Sequence, residues 1–154
     1  MRRKEREITD QEIIQKILSQ SSICRLAFND EPYPYIVPMN YGYHDDALYF
    51  HCALEGRKLE LIKKNSRLAF EIEYESEVIK GKEACQYTTR YRSVIGTGDM
   101  EIIQDDEQKR FGLDVLMRQH GKSDNSYIPA ALKRTLVLKL TINSLSAKQA
   151  GDWE

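Results

Sequence analysis

The sequence predicts a closed antiparallel β-barrel with a few peripheral helices. Three observations carry this. Short runs rich in β-branched and aromatic residues recur along the chain, as in ICRLAFND, YPYIVPMNYGY and ALYFHCA. Turn-forming residues join neighbouring runs, so they pair as hairpins. Helical patterns are few and do not alternate with the strands, which argues against βαβ units and a parallel sheet.

The elements follow in order. TDQEIIQKILSQSS reads as a first helix. Thr9 or Asp10 can cap it, and Glu12 stands three residues after Thr9, as in a capping box. Ile13, Ile14, Ile17 and Leu18 make one apolar face. ICRLAFND is a strand that turns at Asn29-Asp30, and YPYIVPMNYGY is the next strand. Pro38 lies inside it and cannot donate to a ladder, which points to an edge, a bulge or a special site. ALYFHCA is a third strand, reached through His44-Asp45-Asp46. EGRKLELIKKN is an amphipathic helix that Asn65 can stop.

SRLAFEIEYE is a fourth strand, and YESEVIKGKEAC is polar enough to be a loop. QYTTRYRSVIGTGDMEIIQ is β-rich, with a bulge or bend at its GTG. DDEQKRFGLDVLMRQHG is a helix begun by Asp105 or Asp106 and ended by Gly121, with Phe111, Val115 and Leu116 on one face. The last strand lies in LKRTLVLKLTINSLSAKQ, where Leu136, Leu138, Leu140 and Ile142 alternate.

A length of 154 residues suits one domain spanning 1–154, with residues 1–8 (MRRKEREI) expected as a flexible basic tail. The formal net charge of −1 argues against nucleic-acid or anionic-membrane binding, which shows as a strongly basic face. No apolar run approaches the roughly 20 residues of a membrane span, and no signal-peptide core follows the N-terminus. Cys24, Cys52 and Cys85 are odd in number and lack a CxxC, so neither a disulfide framework nor a zinc knuckle is expected. Reduced thiols fit the cytoplasm.

The stretch FHCALEGRKLELIKKN holds the clearest chemistry. A helix start gathers free N–H groups and positive potential, which attract phosphate. Gly56 lets a backbone approach closely. Arg57 offers a planar fork and Lys58 a mobile point charge. On spacing alone the signal is weak, and a plain surface turn before a helix fits better. His51 and Cys52 alternate along the strand, so they point to opposite faces and cannot easily form a dyad. His44 and His120 lie in unrelated contexts, and no metal site is expected.

The ordered set YIVPMNYGYHDDALYFHCALEGRK, followed by YRSVIGTGDMEII, resembles the FMN-binding split barrels related to pyridoxamine 5′-phosphate oxidase. Within these it is most similar to the 5-nitroimidazole-resistance (Nim-type) proteins. The resemblance implies a mainly β fold with peripheral helices, a six-stranded antiparallel split β-barrel. It implies a homodimer with FMN between the subunits. Carried over by position, Gly56, Arg57 and Lys58 would hold the FMN phosphate. His51, Cys52 and Ala53 would lie along the phosphate and ribityl chain, with cysteine standing where family members often have serine or threonine. Pro38, Met39, Asn40 and Tyr41 would run along the flavin ring and offer backbone groups. Arg92 and Ser93 would reach it from the later strand.

The implied activity is that of an FMN-dependent oxidoreductase passing electrons from reduced flavin to a small acceptor, such as a nitro-aromatic, with NADH or NADPH as donor. The flavin supplies the redox chemistry, so no side-chain nucleophile is needed. His51 or Tyr91 could donate a proton. Vitamin B6 oxidation is not expected, because Trp153 in GDWE does not recreate that enzyme's C-terminal substrate motif. The alternative reading is a non-catalytic flavin- or haem-binding split barrel, with His51 or His120 as axial ligand.

Overall fold

The run expected as one strand after the Asn29-Asp30 turn is two. Tyr35–Asn40 (β3) pairs with Ile23–Phe28 (β2), whereas Gly42–His44 (β4) pairs with Ala47–Cys52 (β5). Only Tyr41 separates β3 from β4. In the computed structural model, which describes residues 3–153, these two strands are opposite ends of a single sheet.

The remaining elements are β1 (Glu7–Ile8), α1 (Gln11–Gln20), α2 (Arg57–Lys64), β6 (Arg67–Ile79), β7 (Thr88–Ile103), α3 (Asp106–Gln119), α4 (Pro129–Lys133) and β8 (Leu136–Ala150). The strand order is β3-β2-β6-β7-β8-β5-β4, with β1 paired on β8. Because β3 and β4 follow one another in the chain, the sheet must roll until its two edges meet. Tyr41 joins those edges covalently, and among the described residues no ladder closes them. The barrel is therefore open rather than closed, and the described residues form eight strands rather than six.

Several expectations are corrected in detail. Asp10 caps α1 by accepting from the Glu12 N–H at 2.9 Å. Expected as a loop, Glu75–Ile79 extends β6, with Glu77–Ile79 paired to Thr88–Arg90 beyond a bulge at Tyr74/Glu77. Backbone pairing there outweighs the polar side chains. Expected as a flexible tail, residues 4–6 form a 3-10 turn, and Glu7–Ile8 pair with Ala147 and Lys148. Residues 1 and 2 lie outside the described part. Phe111 is exposed rather than core-facing; its ring edge meets His44 and Tyr49 instead. The short helix α4 was not expected. It is tied to α3 by the buried Lys109, whose Nζ donates to the Leu132 carbonyl at 2.8 Å.

Other expectations hold. Pro38 sits on β3, an edge strand, where its missing N–H breaks no ladder. The GTG run bulges against β8 between Thr97 and Gly98. Asn65 ends α2, and Gly121, at φ 82°, follows α3.

The barrel interior is one apolar cluster. Phe28, Tyr41, Phe50, Phe70, Leu138 and Leu140 fill it, together with Ile14, Ile17 and Leu18 from α1 and Leu59 and Ile62 from α2. Each such side chain contributes about 1.5–3 kcal/mol through burial. A second cluster of Ala47, Tyr49, Ile103, Val115 and Val137 lies beneath α3. Cover on both faces explains why β5 reads as a nearly continuous apolar run. The helix sits very close: a Cβ on Gly42 would lie 2.6 Å from backbone atoms of Val115 and Leu116.

Candidate functional site

Strand β5 ends at Cys52, and four residues later Gly56 starts α2. Gly56 has φ 139°, a backbone conformation that favours glycine. It provides no side-chain cap, so the first N–H groups of α2 stay available. Arg57 projects from this turn toward the β2–β3 loop. Its Nε and Nη2 donate to Asp30 Oδ2 at 3.0 and 2.5 Å. Its guanidinium lies 5.0 Å from the centre of the Tyr35 ring. Lys58 is half-buried and, among the described residues, belongs to no ion pair. Arg57 and Lys58 follow one another at a helix start that has no side-chain cap, residue types suited to a phosphate monoester. Hydrogen bonding from Arg57 and from the Glu31 N–H holds the Asp30 carboxyl below its ordinary value.

Alternation separates His51 from Cys52, as expected. Cys52 is buried in the barrel core, and its thiol is pushed up by burial, with Lys58 pulling the other way. A neutral, buried thiol is a weak partner for a ribityl chain. His51 is exposed. It stands at the rim of an apolar pocket of about 190 Å³ lined by Leu113, Leu116, Met117, Tyr127 and Leu132. His120 is spent elsewhere: its Nδ1 lies 2.9 Å from the Leu116 carbonyl, at the end of its own helix. Ala53 is exposed in the loop before Gly56.

The β3 run divides by parity. Pro38 and Asn40 are exposed on the outer face of the sheet. Met39 is partly buried against the core, and Tyr41 is fully buried, its hydroxyl donating to the Leu18 carbonyl at 2.6 Å. Tyr41 can therefore offer a ligand its backbone but not its ring. Pro38, Arg25, Glu71 and Ile95 follow one another across β3, β2, β6 and β7. Ser93 shares the parity of Ile95, so it shares an outer face with Asn40. Three strand spacings separate β3 from β7, about 14 Å.

Arg92 has the opposite parity. Its Nε donates to Gln149 at 3.2 Å, and its guanidinium lies 4.0 Å from the Trp153 ring. The structure thus turns Arg92 toward the C-terminal segment and away from Ser93. Sequence reasoning missed Asp30, Tyr35 and Trp153. Asp30 was visible only as a turn residue, because nothing local relates it to an arginine 27 positions later. Among the described residues, no group of three or more His, Cys, Asp or Glu side chains could hold a metal ion.

An antiparallel sheet rolled until its edges meet at one residue, with helices outside, defines a split β-barrel. The sequence matches the pyridoxamine 5′-phosphate oxidase family over residues 10–149, and the chain belongs to that family. No curated relative matches it. Among solved structures, a candidate 5-nitroimidazole antibiotic resistance protein from Bacteroides thetaiotaomicron is 33% identical, over 93% of this chain and 86% of that one, at TM-score 0.83. An FAD and haem binding protein from Mycobacterium smegmatis is 23% identical, over 96% and 75%, at TM-score 0.84. A flavocytochrome from Azotobacter vinelandii is 18% identical, over 99% and 72%, at TM-score 0.83. The last two support the fold alone.

Proposed function

We propose that this protein is a flavin-dependent oxidoreductase that binds FMN and reduces a small acceptor of the nitroimidazole type. The observation that carries the reading is the Gly56–Arg57–Lys58 turn: two successive cationic residues stand at an uncapped helix start, where the family resemblance calls for a phosphate. Family membership supports a flavin. The phosphate donors favour FMN for this chain.

Bound flavin would supply the electron transfer. The chain's own residues hold and orient it. Arg57 and Lys58 neutralise the phosphate, and the outer face bearing Pro38, Asn40 and Ser93 gives the ring a bed. Tyr91 lies two residues from Ser93 on the same face of β7, so it is placed to move a proton near that bed. His51, at its apolar pocket, is the second candidate.

The outer face also argues for a homodimer. Ile23, Ile36 and Ile95 are 43%, 62% and 57% exposed in the single chain. Bare isoleucines around the cofactor positions are what a second copy would cover. NADH or NADPH is the proposed donor, and the cytoplasm the proposed compartment. Among the described residues, no helix is long and apolar enough to cross a membrane.

Haem is the second reading, favoured by His51 at the rim of an apolar pocket. At about 190 Å³ that pocket is smaller than ordinary ligand sites of roughly 300–1,000 Å³, so haem fits less well. A visible spectrum of the purified protein tests both. Flavin bands, or flavin uptake on titration with FMN, support the first reading; a Soret band supports the second. Anaerobic reduction with NADH or NADPH, followed by a nitroimidazole, then tests turnover.

A further inference from the structure

Arg57 is a long side chain on an exposed turn, and left alone it would sample many rotamers. Two residues outside its own segment restrain it. Asp30 Oδ2 accepts from the Nε and Nη2 edge, and the Tyr35 ring lies under the guanidinium plane. Both restraints are themselves anchored. Asp30 Oδ1 accepts from the Glu31 N–H at 2.9 Å, which orients the carboxylate. Tyr35 packs against Phe28, whose side chain is buried in the core, with ring centres 6.0 Å apart. A guanidinium carries five N–H donors. The Asp30 contacts use one edge, and among the described residues the Nη1 edge has no hydrogen-bond partner.

We propose that Asp30 and Tyr35 are positioning residues for anion binding: they lock Arg57 so that its free edge is presented to a phosphate monoester at the start of α2. This rests on the reading of Arg57 as the flavin-phosphate ligand. The ordering cost of the arginine is met in the unliganded protein, so the anion does not have to meet it. The negative charge of Asp30 sits on the far edge of the fork, with the cation Lys64 nearby to offset it.

The test compares binding of FMN with binding of riboflavin, which lacks the phosphate, so that their ratio reports the phosphate contact alone. Asp30→Ala is expected to lower FMN affinity by roughly two- to tenfold while leaving riboflavin affinity unchanged. Asp30→Asn keeps an acceptor for Arg57 and is expected to retain most of the ratio. Tyr35→Leu is expected to lower the ratio without changing the fold, checked by circular dichroism. An Asp30→Ala protein that binds FMN more tightly would make Asp30 a competitor of the phosphate and overturn the proposal. An unchanged ratio would overturn it as well. Arg57→Ala separates the two levels of inference. If it leaves the ratio intact, the phosphate reading itself fails. If it collapses the ratio while Asp30→Ala does not, only the positioning role fails.

Discussion

Tyr41 donates its hydroxyl hydrogen to the Leu18 carbonyl at 2.6 Å, at the one residue where the chain passes from one edge of the sheet to the other. Leu18 is near the end of α1, so one hydrogen bond ties that helix to the seam of the split barrel. Gln119 of α3 reinforces it. Its Nε2 donates to Leu18 and Ser21 carbonyls at 3.1 and 2.6 Å, and its Oε1 accepts from the Tyr43 N–H at 2.7 Å. Tyr41→Phe is expected to cost about 1 kcal/mol, since the Leu18 carbonyl keeps Gln119 as a partner. Gln119→Leu strands more groups and should cost about 2–3 kcal/mol. Chemical denaturation midpoints at constant m-value read both.

The three cysteines should differ in reactivity. Cys85 is exposed, whereas Cys24 and Cys52 are buried. Burial pushes both of those thiols up, keeping them protonated at neutral pH. One rapidly labelled thiol is therefore expected in the native protein, and all three after denaturation. Rapid loss of Cys52 under native conditions would contradict the core placement.

Asp30 gives a pH signature. Arg57 holds its carboxyl below the ordinary value of 3.8. A depressed carboxylate stabilises the fold above its unfolded pKa, and that contribution is lost as pH falls through the folded one. The Asp30–Arg57 contact should thus persist at neutral and mildly acidic pH and weaken only in stronger acid. Carboxyl-detected NMR titration should place Asp30 below 3.8, and Arg57→Ala should return it toward that value.

Trp153 reports on the C-terminal segment because the chain has a single tryptophan. It stacks near both Arg90 and Arg92, at 4.9 and 4.0 Å. Arg92→Ala should shift its emission to longer wavelength by opening the ring to water. FMN affinity should stay within about twofold, since side chains away from a ligand leave its binding energy largely intact. A large loss of FMN affinity would restore Arg92 to the cofactor site.

Much of the fold was legible because its signals are local. Alternation in Leu136–Ile142 marked β8, and the glycines of GTG marked a bulge. The apolar run ALYFHCA marked β5 as a strand. Strand count was not legible, because the break at Tyr41 depends on which partner each half finds. Glu77–Ile79 looked like a loop because its pairing with Thr88–Arg90 comes from the backbone. For the site, the Gly56–Lys58 corner could be read from adjacent residues. The grip on Arg57 could not: Asp30 and Tyr35 reach it only through the folded barrel.

The central claim is that Arg57 and Lys58 hold a flavin phosphate, and comparative titration of FMN and riboflavin tests it most directly. The protein should prefer FMN strongly. In the Arg57→Ala, Lys58→Ala double variant that preference should fall by about a hundredfold, the worth of two charge-assisted contacts. An unchanged preference for FMN in a folded double variant would contradict the account.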